Sequence, residues 1–376
     1  TTPTVEIAVP LEEADAGIII TASHNPRNWN ALKLLNNNGE FISANDGEKL
    51  LNIANSNPNY NTDVKKGFVK FNSDYIDIHT DMILNLPNVE VDLIKKRKFK
   101  IVVDAVNSTG GIAVPNLLKK LDVNIVELYC EPNGEFPHNP EPLKENLTDL
   151  SNLVIKQKAD LGIVVDPDVD RLAFVSENGE VFGEEYTLVA CSDYYLQNKP
   201  GNTVSNLSSS RALRDITELN NCNHFFSAVG EVNVVEMMKN KNAVIGGEGN
   251  GGIILPELHY GRDALVGIAL FLSHLSRLNI SCSRLRSNYP NYFMSKDKVK
   301  LNDNLDVESI IKNIALAYSS EKTNIIDGLK IDFDDSWVQL RKSNTEPIIR
   351  VYSEAKSQEE AEKLSQKFIS EIKKFS

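Results

Sequence analysis

The chain has 376 residues, of which 41% are hydrophobic and 24% charged, as is ordinary for a soluble globular protein of several domains. Its net charge of −12 argues against a nucleic-acid-binding protein, which usually carries a basic face, so an anionic ligand would need a local cluster of cationic side chains. No apolar run reaches the length of a membrane span, and the four cysteines have the spacing of neither a zinc ribbon nor a disulfide framework. We therefore expect a cytoplasmic protein without nucleic-acid or membrane partners.

The first predicted elements surround a polar loop. Val5–Pro10 reads as a strand that already lies inside a fold, so we expect the first domain to be incomplete at its N-terminus. Gly17–Ile20 is a short apolar strand, and the polar segment Thr21–Asn30 follows it.

Further along, short apolar strands alternate with helical stretches, a pattern typical of α/β domains with mixed or parallel sheets. The predicted strands are Lys100–Val106, Asp160–Val165, Asn202–Leu207 and Ala243–Ile245, and the predicted helices begin at Val114 and Ser210. In the last part, three predicted strands precede an amphipathic helix at Ser357–Lys374, which indicates a small α+β domain. We therefore expect three α/β domains with mixed sheets (1–72, 73–180 and 181–294) and a C-terminal α+β domain (295–376).

The serine loop, Thr21–Pro26, is the first loop whose residues could take part in catalysis or ligand binding. Ser23 on a tight turn can act as a nucleophile or a phosphate carrier, and His24 and Lys33 are candidate proton carriers or phosphate contacts. Taken alone, the hexapeptide is better explained as a polar loop whose side chains cap backbone groups.

The acidic loop, Asp166–Arg171, follows a buried strand. Alternate residues of an extended segment point the same way, so Asp166, Asp168 and Asp170 can converge, and their oxygen ligands suit Mg²⁺. Arg171 is a candidate for holding a transferring phosphoryl group. An EF-hand is excluded because Arg171 occupies the position where that loop needs glycine. A solvated acidic turn is the remaining alternative.

The glycine loop, Gly246–Gly252, is followed by a strand rather than a helix, which argues against a dinucleotide site. Glu248 and Asn250 are two residues apart and could both bind sugar hydroxyls, although a plain hairpin turn explains the loop as well.

The anion loop, Arg341–Pro347, combines an arginine with hydroxyl and amide side chains and leads to a second arginine, Arg350. Such a density of donors favours phosphate binding over an ordinary basic turn.

These four loops, in this order, resemble the motifs of the α-D-phosphohexomutase family. The matching segments are T-A-S-H-N-P at Thr21–Pro26, D-x-D-x-D-R at Asp166–Arg171, G-E-x-N-G at Gly247–Gly251, and R-x-S-N-T-E-P at Arg341–Pro347 followed by Arg350. The family's lysine ten residues after the serine falls on Lys33. The resemblance implies a heart-shaped protein of four domains, each contributing one of the loops to a central cleft.

The resemblance also implies a mechanism. A phosphorylated Ser23 would transfer its phosphate to a hexose phosphate by way of a hexose 1,6-bisphosphate, with one Mg²⁺ per chain bound by Ser23 and the three aspartates. Lys33, rather than His24, would take the hydroxyl proton. The sugar-phosphate ligands would be Glu248, Asn250, Arg341, Ser343, Asn344, Thr345 and Arg350.

The glycine loop and the aspartate spacing are most similar to the bacterial phosphoglucosamine mutase and phosphomannomutase branches, the former above all. Phosphomannomutase or phosphoglucomutase activity, a metal-dependent sugar phosphatase and an inactive sugar-phosphate-binding fragment remain alternatives. We expect a monomer or a homodimer.

Overall fold

The computed structural model describes residues 1–56, 58–59, 67–300, 307–343 and 348–374. Within these ranges the chain forms thirteen α-helices and fifteen strands, and the strands make up four sheets. The strands are β1 (Gly17–Ile20), β2 (Leu32–Leu35), β3 (Lys100–Asp104), β4 (Asn124–Leu128), β5 (Leu161–Val165), β6 (Leu172–Ser176), β7 (Asn202–Asn206), β8 (His224–Ser227), β9 (Ala243–Glu248), β10 (Gly252–Ile254), β11 (Phe293–Lys300), β12 (Lys322–Asn324), β13 (Leu329–Asp332), β14 (Trp337–Lys342) and β15 (Ile348–Ala355).

The helices alternate with the strands through the first three quarters of the chain, as the sequence predicts. They are α1 (Thr2–Leu11), α2 (Ala44–Asn55), α3 (Tyr75–Leu84), α4 (Val91–Arg97), α5 (Gly110–Lys120), α6 (Thr148–Gln157), α7 (Glu184–Asn198), α8 (Ala212–Leu219), α9 (Glu231–Lys241), α10 (Ala264–Leu278), α11 (Cys282–Arg286), α12 (Val307–Ala317) and α13 (Gln358–Lys374). None of the helices in the described ranges is both long and apolar enough to cross a membrane.

Two of the sheets share one topology. The order β4-β3-β5-β6 matches the order β8-β7-β9-β10, with three parallel strands and one antiparallel edge strand in each sheet. Helix α10 is buried along most of its length and packs against α7, α3 and α4, so both sheets share one continuous core. The last sheet, β11-β15-β14-β13-β12, is wholly antiparallel and is covered by α13. The predicted class of mixed α/β domains with a C-terminal α+β domain is confirmed.

The predicted strand at Val5–Pro10 is wrong, because these residues belong to α1. The alternation of Val5, Ile7 and Val9 suggested a strand, but Thr1 caps a helix by accepting a hydrogen bond from the Thr4 amide, and Pro3 lies in its first turn. The helix is buried on more than one side, since Thr2 contacts the acidic loop while Thr4 and Glu6 are also buried. This burial obscures the helical period of the apolar residues.

The helix predicted to begin at Val114 in fact begins at Gly110. Two glycines in its first turn suggested a loop, since glycine is a poor helix former. Here the glycines allow close packing: a Cβ atom at Gly111 would lie 2.0 Å from the Cys130 carbonyl oxygen. A residue with a side chain at Gly111 would therefore clash with the backbone at Cys130.

All four loops identified in the sequence connect antiparallel strands. The strand pairs next to them end at Ile20↔Leu32, Val165↔Leu172, Glu248↔Gly252 and Lys342↔Ile349. In the serine, acidic and glycine loops, the chain turns back within one strand pair, so their side chains lie at the end of a sheet and do not lead into a helix.

Candidate active site

Ser23 lies in a strained turn. Its φ of 51° is in the left-handed region that residues other than glycine rarely adopt, and its amide donates to Thr21 Oγ1 at 2.9 Å. This conformation directs Ser23 Oγ toward two partners: Oγ lies 3.2 Å from His24 Nδ1 and 3.5 Å from Asp166 Oδ2. The turn therefore brings the serine hydroxyl to the edge of the acidic loop.

The three aspartates of the acidic loop converge, as the spacing predicts. Asp166, Asp168 and Asp170 are at most 4% exposed, and one carboxylate oxygen of each lies within 4.8 Å of the others. Val169, with a φ of 66°, reverses the chain between them, and Asp166 Oδ1 accepts hydrogen bonds from the amides of Asp170 and Arg171. Burial, together with the charges of Asp170 and Asp168, raises the pKa of Asp166 well above its usual value.

The chemistry of this cluster fits a hard divalent cation. Asp168 Oδ1 and Asp170 Oδ1 are buried and have no hydrogen-bond partner in the part of the chain that the structure describes. Unpaired buried carboxylate oxygens are costly unless a cation binds them, and oxygen ligands of this kind are those preferred by Mg²⁺.

Lys33 and Arg262 donate hydrogen bonds to the cluster, and Arg171 Nε lies 4.0 Å from Asp166 Oδ2 and 3.9 Å from Asp170 Oδ1. Lys33 Nζ donates to Asp168 Oδ2 at 2.7 Å and to Asp170 Oδ2 at 2.9 Å, while Arg262 Nη2 donates to Asp170 Oδ2 at 2.8 Å. Burial favours the neutral form of Lys33, but the carboxylates of Asp170 and Asp168 outweigh it and raise the Lys33 pKa. For Asp170, burial is likewise outweighed, by Arg262 and Lys33, and its pKa is lowered.

His24 lies between Ser23 and Arg171. Arg171 Nη2 is 3.5 Å from His24 Nε2, and Arg171 Nη1 donates to Glu141 Oε1 at 3.0 Å. Burial and the nearby Arg171 charge lower the pKa of His24, which favours the neutral imidazole at pH 7. The predicted residues Ser23, His24, Lys33 and Arg171 are thus brought together with the aspartates.

A continuous cleft runs from the serine loop to the glycine loop. A cavity of about 490 Å³ is lined by Ser23, His24 and Lys33. A second cavity of about 830 Å³ is lined by Glu248 and Asn250, and the two share the wall residues Phe41, Ile42, Arg171 and Arg262. The combined space contacts the serine, acidic and glycine loops.

The Glu248 carboxylate is buried and hydrogen-bonded to other side chains of the protein. It is 5% exposed; its Oε1 accepts from Asn206 Nδ2 at 2.7 Å, and its Oε2 accepts from Arg262 Nη1 at 2.7 Å. Asn250 is partly exposed and accepts from the Gly252 amide at 3.2 Å. Asn250 therefore offers polar atoms to the cleft, while Glu248 is held by its neighbours.

The anion loop lies at the end of β14 and β15. Arg341 and Arg350 are directly opposite each other in the register, so two like charges share one face of the sheet. Arg341 Nη1 lies 3.4 Å from Asp327 Oδ2, which also accepts from the amide of Val229, a residue of the cleft wall. Ser343 is buried next to them, whereas Asn344 and Thr345 lie outside the described residues.

Sequence reasoning missed Arg262, Glu141 and Thr2. Arg262 precedes the helix-capping Asp263 and gives no motif signal, and Thr2, which donates to Asp168 Oδ2 at 2.6 Å, falls in the segment mistaken for a strand. Glu141 was visible in the proline-rich stretch before α6, but only the structure shows its contact with Arg171.

Four family models match the chain. They are the phosphoglucomutase/phosphomannomutase alpha/beta/alpha domains I (residues 1–61), II (77–179) and III (183–292), and the C-terminal domain (298–371).

Similar proteins carry related names. A phosphoglucomutase/phosphomannomutase of Thermococcus kodakarensis is 34% identical over 96% of this chain and 79% of its own length. A phosphoglucosamine/phosphogalactosamine mutase of Sulfurisphaera tokodaii is 32% identical over 99% of this chain and 82% of its own length.

Solved structures agree with these relatives. The crystal structure of a phosphoglucomutase/phosphomannomutase family protein from Burkholderia thailandensis superposes with a TM-score of 0.82 and 25% identity, over 96% of this chain and 76% of that one. An N-acetylphosphoglucosamine mutase of Aspergillus fumigatus, solved with GlcNAc-6P and magnesium, has the same fold, with a TM-score of 0.63 and 14% identity over 99% of this chain and 91% of that one.

The chain therefore belongs to the phosphoglucomutase/phosphomannomutase family of α-D-phosphohexomutases. It is an isomerase that interconverts hexose phosphates by moving a phosphoryl group. The names of its relatives differ in the sugar.

Proposed function

We propose that this mutase interconverts glucosamine 6-phosphate and glucosamine 1-phosphate. The observation that carries the proposal is Glu236, whose exposed carboxylate lies on the cleft wall near the glycine loop and forms no ion pair within the described residues, whereas Glu248 on the same wall is paired with Arg262. The amine at C2 of glucosamine is protonated at neutral pH, so acidic side chains favour it over the neutral hydroxyl of glucose or mannose. The Sulfurisphaera relative, named for two amino sugars, supports the same choice.

A second candidate substrate is glucose or mannose phosphate. It is supported by the name of the Thermococcus relative, which is 34% identical to this chain. The choice between the candidates depends on the group at C2 of the sugar, because the phosphates and the reaction are common to both.

In the proposed reaction, a phosphoryl group carried by Ser23 Oγ passes to the free hydroxyl of the sugar phosphate. The bond from Oγ to phosphorus breaks, a bond from the sugar oxygen to phosphorus forms, and the hydroxyl proton is transferred finally to Oγ. Asp166, Asp168 and Asp170 would hold one Mg²⁺, which as a Lewis acid would neutralise charge on the phosphoryl oxygens. Arg171 is close enough to the serine loop to contact the same phosphoryl group.

The proton carrier is proposed to be His24. Its Nδ1 lies 3.2 Å from Ser23 Oγ, and its lowered pKa keeps a lone pair available at neutral pH. Lys33 donates to two aspartates and its pKa is raised, so in this arrangement it acts as a fixed positive charge. The sequence-based preference for Lys33 as proton acceptor stays a prediction.

The product of the first transfer would be a hexose 1,6-bisphosphate that turns over in the cleft before the second transfer. The volumes of the two cavities leave room for this reorientation, and Asn250 with Glu248 would contact the ring hydroxyls in both orientations. Arg341, Ser343 and Arg350 would bind the phosphate that is not reacting, together with Asn344 and Thr345.

Substrate choice is tested by comparing specificity constants. With Mg²⁺ and a catalytic amount of the matching bisphosphate, kcat/KM for glucosamine 6-phosphate should exceed that for glucose 6-phosphate and mannose 6-phosphate by about tenfold or more, since one charge interaction is worth roughly 1–3 kcal/mol. Equal or higher values for the neutral sugars would reject the amino-sugar proposal. Release of inorganic phosphate in place of isomer would reject the mutase reaction itself.

Arg341→Ala should raise the KM for the hexose phosphate by about 10- to 100-fold, because a charge-assisted contact contributes roughly 1.5–3 kcal/mol. Steady-state kinetics would measure it. Lys342→Ala is the matched control, since the adjacent residue on a strand points to the opposite face. The docking role is rejected if both variants change KM equally, or if Arg341→Ala leaves it unchanged.

A further inference from the structure

Arg262 forms the densest set of ion pairs next to the cleft. Its Nη2 donates to Asp170 Oδ2 at 2.8 Å, its Nη1 to Glu248 Oε2 at 2.7 Å, and its Nε to Glu231 Oε2 at 2.8 Å. The residue is 7% exposed and lines both cavities of the cleft. One guanidinium therefore joins the acidic loop to the glycine loop.

A β-bridge and a helix cap fix the backbone around Arg262. Arg262 forms a bridge with Ile254 of β10, and the adjacent Asp263 caps α10 by accepting from the amides of Leu265 and Val266. The other oxygen of Asp263 lies 2.8 Å from His79 Nε2. The position of the guanidinium is thus fixed by the helix start and by α3 of the preceding domain.

The side chain also depends on a neighbouring glycine. A Cβ atom at Gly252 would lie 2.3 Å from Arg262 Cδ, so the absence of a side chain there leaves the path that Arg262 follows to Asp170. The start of β10 and the arginine therefore fit together sterically.

We infer that Arg262 is a positioning residue that couples the sugar-binding glycine loop to the metal-binding acidic loop. Each of its three nitrogens donates to a carboxylate, so the role inferred here is exerted through Glu248 and Asp170. The planar guanidinium holds the three carboxylates at fixed positions in one plane, whereas the ammonium of lysine is a point charge on a flexible stem and does not fix that geometry. The inference rests on the roles proposed above for the two loops, but not on which hexose phosphate is used.

The coupling predicts that one substitution disturbs both ligands. In Arg262→Lys, the KM for the hexose phosphate and the Mg²⁺ concentration for half-maximal rate should each rise about tenfold, because both loops lose their shared anchor. Glu248→Gln, which alters one loop alone, should raise KM with little change in Mg²⁺ dependence. Calorimetric titration of Mg²⁺ without substrate should show a similar rise in its dissociation constant for Arg262→Lys, and thermal melting of each variant shows whether the fold is retained.

Arg286→Lys is the matched control. Arg286 is a half-buried arginine on α11 that stacks on Tyr186 and donates to the Phe182 carbonyl, and it lines neither cavity of the cleft. The inference is overturned if Arg262→Lys moves only one of the two parameters, moves neither, or has the same effect as Arg286→Lys.

If Arg262→Lys does not fold, Glu231→Gln is used instead, because it weakens the ion pair between Arg262 Nε and Glu231. It should raise both parameters by about threefold, and a change in one alone would overturn the inference. All comparisons use the hexose phosphate that the unaltered enzyme converts fastest. If the unaltered enzyme prefers a neutral sugar, the amino-sugar proposal fails. The coupling through Arg262 is then tested in the same way with that neutral sugar phosphate.

Discussion

Ser23→Ala is expected to abolish isomerisation, with turnover reduced by at least about 10⁴-fold, since removal of a covalent nucleophile leaves only binding and electrostatic contributions. The alanine removes the one atom that lies between His24 and Asp166. The variant should also fail to take up a phosphoryl group from a hexose 1,6-bisphosphate. Coupled assays of isomer formation and intact-protein mass spectrometry measure the two effects.

Stability should hardly change in this variant, because Ser23 Oγ makes only long contacts at a part-buried position. Ser56→Ala is the matched control: it removes a hydroxyl from the same domain, at the end of α2, where Oγ donates to the Ile53 carbonyl oxygen. Undiminished turnover in Ser23→Ala would refute the role of the serine, as would equal losses in the two variants.

Asp168→Asn should reduce the rate by about 10²-fold or more at fixed Mg²⁺, corresponding to roughly 3 kcal/mol of lost transition-state stabilisation. The amide keeps the shape of the side chain but removes the negative charge and the unpaired oxygen that would bind the cation. The concentration of Mg²⁺ needed for half-maximal rate should rise in parallel, which a titration of activity against Mg²⁺ measures.

Asp160→Asn serves as the control for this loss of one acidic charge. Asp160 lies just before β5, at the opposite end of that strand from the acidic loop, and accepts a hydrogen bond from the Lys100 amide. A Mg²⁺ dependence that is unchanged in Asp168→Asn, or changed equally in Asp160→Asn, would exclude the acidic loop as the metal site.

Much of this site could be predicted from the sequence because its chemistry is concentrated in short local motifs. Asp166, Asp168 and Asp170 are close in the chain, so their convergence could be predicted, although a turn at Val169 produces it and not the alternation of an extended segment. Ser23 follows a clear apolar strand that ends where it was expected, at Ile20. Local patterns of this kind do not depend on the rest of the fold.

The contacts between distant segments could not be predicted. Arg262 meets Asp170 across 92 positions of the chain, and Glu141 meets Arg171 across 30, so neither pair leaves a pattern in any sequence window. Helix α1 was misread for a related reason: it is buried by several domains, and burial on more than one side removes the helical period. Tertiary packing determined all three features.

Phosphoryl transfer through Ser23 is tested most directly in a single turnover. The protein is first incubated with Mg²⁺ and hexose 1,6-bisphosphate, and peptide mass spectrometry then locates the phosphoryl group. We expect it on the peptide containing Ser23, and we expect its loss, on addition of hexose 6-phosphate, to equal the bisphosphate formed. Isomer formation without a phosphorylated Ser23, or loss of the phosphoryl group as inorganic phosphate, would contradict the mechanism.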